Sequence, residues 1–189
     1  MELLKNMIIN KGTVNGKNIL KVDSFLNHQI DVELLNEIGK EFKKLYRDNN
    51  ITKILTIEAS GIGIACIAAQ YFNVPVVFAK KTESLNLDTE TLESQVYSYT
   101  KQRNYTIKVS KKYIQSEDRV LIIDDFLAEG QAALGLINIV NQAGAKVEGV
   151  GIVIEKTFQT GGQFLRSKGI RVDSLAKVKS IENNQVIFE

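Results

Sequence analysis

Two periodicities alternate along this chain. After Asp31, in DVELLNEIGKEFKKLYRD, the apolar residues Leu34, Leu35, Ile38, Phe42 and Leu45 recur at three- and four-residue spacing. That spacing predicts an amphipathic helix with Asp31 as its N-cap. KILTI (Lys53 to Ile57), VPVVFAK, RVLIID (Arg119 to Asp124) and KVEGVGIVIEK (Lys146 to Lys156) are short apolar runs of the kind that form buried strands. Between them, SGIGIACIAAQYF and GQAALGLINIVNQAGA read as helices, the second closing near Gly144. Strands alternating with helices of this length predict an α/β fold with a mainly parallel twisted sheet flanked by helices.

Two regions break the pattern. From residue 80 to 110 the text turns polar and alternating, and Val96/Ser98, Tyr97/Tyr99 and Tyr105/Ile107/Val109 predict an antiparallel hairpin acting as a flexible flap. An insertion of that length in a compact domain is more often functional than decorative. The first 30 residues also stand outside the alternation and are expected to serve as a lid.

Composition narrows the picture without naming a function. At 189 residues, with one proline, no serine/glycine linker and no internal repeat, a single domain spanning residues 1–189 is expected. No stretch approaches the roughly 18 to 20 apolar residues of a membrane span, and MELLKNMIIN does not read as a secretory signal. One cysteine, Cys66, excludes an internal disulfide and fits a reducing, cytoplasmic compartment; its apolar surroundings place it in the core. A net charge of +2 is too small to argue for nucleic-acid or membrane partners. His28, the only histidine, reads as structural, and neither metal-ligand spacing nor a Walker lysine occurs.

Three strand ends carry the candidate chemistry, since ligands of open α/β sheets bind beyond the carboxyl ends of the strands. IEASGIG (Ile57 to Gly63) is either a tight strand-to-helix connection or a helix start whose free N–H groups meet an anion. In VLIIDDFLAEGQA, four apolar residues deliver Asp124 and Asp125, and Gly130 then allows close backbone approach as the chain turns into a helix. Paired carboxylates are costly to bury, so they persist where they meet hydroxyls, a cation or developing positive charge. Together these pieces suit sugar hydroxyls beside a phosphate. IVIEKTF ends in Lys156 and Phe158: either a solvated charge and a core ring, or an ammonium and a stacking ring for a flat polar heterocycle.

VLIIDDFLAEGQA resembles the phosphoribosyl-diphosphate loop of the type I phosphoribosyltransferases. LKVDSFLNHQID, TKILTIEASGIG, VYSYTKQ and GIGIVIEKTFQ extend the resemblance over essentially the whole chain, toward the xanthine-using branch of bacterial purine salvage. The resemblance implies a type I phosphoribosyltransferase fold with an N-terminal hood (approximately residues 1–35) and the flap at approximately 80–110. It implies a glycosyltransferase of the pentosyl class, moving ribose 5-phosphate from 5-phospho-α-D-ribose 1-diphosphate (PRPP) to N9 of xanthine. The products would be XMP and diphosphate, with Mg²⁺ bound through PRPP and the protein a homodimer. Guanine, hypoxanthine or adenine as acceptor, and a non-catalytic sensor of PRPP, are the alternatives.

Carried over by position, the resemblance places the ribose hydroxyls on Asp124 and Asp125 and the 5-phosphate on Ala128, Glu129, Gly130, Gln131 and Ala132. Diphosphate would meet Ala59, Ser60 and Gly61, with Lys80 as the catalytic cation beside Lys81, and Tyr99 to Gln102 in the closing loop. Leu20, Asn27 and Lys156 would recognise xanthine, Lys156 at O6 and Asn27 or a hood N–H at O2. Two departures from the usual pattern stand out. Glu129 and Ala132 stand where many members carry hydroxyls, so Glu129 is expected to point away from the phosphate. Lys80, in place of arginine, loses bidentate geometry.

Overall fold

A computed structural model describes residues 1–16, 19–81, 90–98 and 102–189. Its centre is a six-stranded sheet ordered β10-β9-β8-β7-β3-β4, formed by β3 (Lys53–Ile57), β4 (Val76–Ala79), β7 (Arg119–Leu127), β8 (Lys146–Lys156), β9 (Val172–Glu182) and β10 (Gln185–Phe188). Neighbours run parallel except for β10, which folds back antiparallel on β9. The expected mainly parallel sheet is therefore present, with one antiparallel edge strand added.

The strands bury both faces, and successive residues feed opposite cores. Ile54, Leu121 and Ile123 pack under α2 (Val32–Leu45) and α3 (Ser60–Phe72). Leu55, Val120 and Ile122 pack under α4 (Gln131–Gln142). The predicted amphipathic helix is α2: Leu34, Leu35, Ile38 and Phe42 are buried, and the Asp31 carboxylate accepts from the Leu34 N–H at 3.1 Å.

The amino-terminal segment is more than a lid. It begins with a helix, α1 (Glu2–Lys11), continues through a small hairpin, β1 (Thr13–Asn15) with β2 (Ile19–Lys21), and closes in a π-helical turn, Asp23–Asn27. Leu4, Ile8, Val22, Phe25 and Leu26 are buried in the α2/α3 core, and the Met1 ammonium donates to the Leu175 carbonyl at 2.6 Å. This segment is thus both hood and structural wall.

The hairpin predicted in the 80–110 region is β5 (Thr91–Ser98) paired antiparallel with β6 (Arg103–Ser110), Val96 opposite Tyr105. Its base is not a free flap, because Leu92, Val96, Ile107 and Val109 are buried in the core beneath α4. Gly135 of α4 permits this: a Cβ there would lie 2.6 Å from a Val96 methyl. Residues 82–89 and Tyr99 to Lys101, also assigned to the flap, lie outside the described residues.

Cys66 corrects a second expectation, for it is exposed on α3. The buried face of that helix is Gly61, Ile64, Ala65, Ala68 and Ala69. The helix is apolar all round, which hides from a sequence reading that Cys66 lies on its exposed face. Among the described residues, no helix is long and apolar enough to cross a membrane.

Candidate active site

β7 carries the acid pair further into the sheet than its apolar run suggested. The strand continues to Leu127, pairing Asp124 with Ile152 and Leu127 with Glu155 on β8. Both carboxylates are consequently buried, Asp124 at 6% and Asp125 at 8% exposure. Asp124 Oδ1 accepts from the Asp125 N–H at 3.0 Å, and Asp125 Oδ1 from the Phe126 N–H at 2.9 Å. The Asn27 side-chain amide, at the end of the hood, donates to Asp125 Oδ2 at 3.0 Å. Burial, followed by the Asp125 charge, pushes the Asp124 carboxyl well above the ordinary carboxylate range.

Two helix starts lie beyond the strand ends here, α3 after β3 and α4 after β7. At α3, Gly61 is required by crowding, since a Cβ there would sit 3.2 Å from Asp124 Oδ1 and overlap the Thr56 hydroxyl. Ala59 caps α3 without a side-chain hydrogen bond, leaving first-turn N–H groups for a ligand. At α4, Gly130 takes φ +78°, a left-handed conformation that favours glycine, and again no side chain caps the helix. Residues 128–132 and the first turn of α4 line a cavity of about 510 Å³ shared with Tyr97, Tyr105, Phe126, Lys156 and Gln159. A larger groove, about 710 Å³ between α1, α2 and α3, holds Asp31, Glu33 and Glu37 and none of these groups.

Lys156, the last residue of β8, lines the same cavity as residues 128–132. Its ammonium lies 5.6 Å from the centre of the Phe126 ring, and burial lowers its pKa. The aromatic partner of the lysine is therefore Phe126, while Phe158 is 37% exposed and lies outside the cavity lining. Behind Lys156, Glu155 is almost fully buried and gripped by both Arg166 guanidinium nitrogens at 2.6 and 2.7 Å. Burial raises the Glu155 pKa, but hydrogen bonds from Arg166 and Ser174 outweigh it and hold the carboxyl below its ordinary value.

The structure separates the two lysines at the end of β4. Lys80 pairs through its backbone with Lys108 and lines a different groove with Pro75, Phe78 and Tyr113. Lys81 has its ammonium 5.6 Å from the Tyr105 ring centre, and its charge favours the ionised form of Asp124. Burial, then the Asp124 charge, raises the Tyr105 pKa. Leu20 is buried in the hood core opposite Val14, and its neighbour Ile19 lines the cavity instead. Lys81, Phe126, Tyr105 and Gln159 are the site residues that sequence reasoning passed over or left unassigned; of these only Lys81 carried a signal, its adjacency to Lys80.

An acid pair at the carboxyl end of a parallel strand, with two helix starts beyond the strand ends that carry no side-chain cap, is chemistry suited to hydroxyls and anions. The chain belongs to the phosphoribosyl transferase domain family, whose model matches residues 21–180. It is similar to the xanthine phosphoribosyltransferase of Clostridium novyi (strain NT), 65% identical over 189 residues that cover 100% of both chains. The xanthine phosphoribosyltransferase of Clostridioides difficile (strain 630) is 58% identical, with 100% of each chain covered. Among solved structures, the adenine phosphoribosyltransferase of Giardia lamblia in complex with 9-deazaadenine superposes with a TM-score of 0.78 at 25% identity, covering 92% of this chain and 97% of the other.

Proposed function

We infer that the protein transfers ribose 5-phosphate from PRPP to N9 of xanthine, forming XMP and diphosphate. The C1–O bond to diphosphate breaks, the N9–C1 bond forms, and N9 gives up its proton. The observation that carries this reading is one cavity lined by the 128–132 turn and the half-buried ammonium of Lys156, with an acid pair near the end of the strand that leads into that turn.

In the proposed site, Asp124 and Asp125 hold the ribose hydroxyls and place negative charge beside the cationic ring that forms as diphosphate leaves. Backbone N–H groups of residues 128–132 take the 5-phosphate, and those at Ala59, Ser60 and Gly61 take the diphosphate. Lys81 is the better-placed cation for the leaving group, because its charge acts on Asp124 while Lys80 lines the neighbouring groove. Lys156 donates to the purine O6. In the described state the Asn27 amide is committed to Asp125, so it reaches O2 only after releasing that bond.

Among the described residues no group of three or more metal-ligating side chains occurs. Asp124 and Asp125, two buried carboxylates, fit an ion that arrives with PRPP, and Mg²⁺ carried this way would neutralise the departing diphosphate. Reaction in the cytoplasm by a homodimer completes the proposal; the single cysteine favours the compartment and the family resemblance favours the assembly.

The test is a ranking of kcat/KM for xanthine, guanine, hypoxanthine and adenine at fixed Mg²⁺ and PRPP, followed by diphosphate release. Xanthine should lead guanine by about tenfold to a hundredfold, because a 2-amino donor facing another donor leaves buried groups unpaired. Guanine in the lead would overturn the acceptor assignment alone. A site silent with every purine would favour a PRPP sensor.

A further inference from the structure

An acid in a turn that cradles a phosphate needs a reason to be there. Glu129 finds its partners away from the helix start, in the turn that follows Lys156. Its Oε2 accepts from the Thr160 hydroxyl at 2.7 Å and its Oε1 from the Gln159 side-chain nitrogen at 3.3 Å. Because a carboxylate only accepts, the Gln159 amide must turn its nitrogen toward Glu129. That orientation leaves the Gln159 Oε1 buried without a hydrogen bond among the described residues, a cost that the contact with Glu129 offsets.

The two segments also meet through backbone. The Gly161 N–H donates to the Ala128 carbonyl at 3.0 Å, and a Cβ on Gly161 would lie 2.4 Å from both the Ala128 oxygen and the Gly130 nitrogen. At its start the same turn is tied to the sheet, with the Thr157 N–H donating to the Val178 carbonyl at 2.8 Å. Between these anchors, the side chains facing the phosphate loop are Gln159 and Thr160, and Glu129 holds both. Lys156 stands at the near end of the turn, and Gln159 lines the cavity with it.

We propose that Glu129 is a positioning residue for the purine: although it belongs to the phosphate loop, it acts on the base subsite by fixing the turn that follows Lys156 and carries Gln159. This rests on the reading of the cavity as a joint donor and purine site. The expected signature is a split in the kinetic constants. Glu129→Ala should raise the KM for xanthine roughly three- to tenfold, the effect of one or two partly exposed hydrogen bonds, with the KM for PRPP unchanged or lower. Glu129→Gln keeps an acceptor for Thr160 and should restore most of the loss. Thr160→Val should reproduce part of it, and the double variant Glu129→Ala/Thr160→Val should be no worse than Glu129→Ala alone.

The measurement is steady-state kinetics on the full chain with each substrate varied in turn, with melting temperatures confirming that every variant is folded. A higher KM for PRPP at constant xanthine KM would overturn the proposal and make Glu129 a donor-site residue. Equal loss in both constants, unrescued by Glu129→Gln, would make it a general support of the loop and would also overturn it. Wild-type protein that turns over no purine would instead sink the functional reading, and the positioning role with it.

Discussion

Asp124 is held where a carboxylate is poorly solvated and faces a like charge, an arrangement that serves a ligand better than it serves the fold. Its pKa is raised on folding, so the folded protein binds that proton more tightly than the unfolded chain does. The corresponding stability is present at low pH and is lost as pH rises through the folded-state value. Asp124→Asn removes the penalty while keeping an oxygen to accept from the Asp125 N–H. The variant should melt higher than wild type at about pH 8, and the gap should narrow as pH falls through the folded-state value and close only toward about 4, the ordinary carboxylate range. Calorimetry across that range decides it, and a gap that widens on acidification would contradict the account. Activity should fall steeply in the same variant, in keeping with the usual trade between site strain and stability.

At the scale of elements, the Glu155–Arg166 pair joins the end of β8 to α5 (Gly161–Ser167) and so sets the floor behind Lys156. Arg166→Ala leaves Glu155 buried with Ser174 as its remaining side-chain hydrogen-bond donor. With Arg166 about a third exposed, the cost should be about 2–3 kcal/mol, below that of breaking a fully buried pair. Chemical denaturation would show it as a lower midpoint with an unchanged slope; an unchanged midpoint would mean that the pair contributes no stability. This pair was invisible in the sequence, because nothing in a spacing of 11 residues across a strand, a turn and a helix announces a bidentate contact.

Other elements were legible to the extent that burial follows period. The Asp31 cap and α2 could be read because five apolar residues repeat on one face, and β7 because its run is buried on both sides. The helix α1 escaped notice because Leu4 and Ile8 are its only buried residues. The outer strands β9 and β10 were missed because VDSLAKVKSIE mixes polar and apolar residues without a clean period of two and QVIF is only four residues long. The same limit applied within the site. The acid pair and the Gly130 turn are local and readable, whereas Phe126 under Lys156, and Lys81 rather than Lys80 beside the acids, depend on which way each strand faces.

For the whole molecule, the sheet separates two cores, and the site lies where the hood, the α4 helix start and the turn after β8 meet at the carboxyl ends of β7 and β8. If the proposed subsites hold, that placement gathers donor and acceptor in one cavity, so the protein should join them without losing the activated sugar to water. The most direct measurement is product stoichiometry: incubate the protein with PRPP, Mg²⁺ and xanthine, and quantify XMP, diphosphate and free ribose 5-phosphate by mass spectrometry. The account predicts one XMP and one diphosphate for each xanthine consumed, with little ribose 5-phosphate. Diphosphate released together with ribose 5-phosphate, and no XMP, would contradict it.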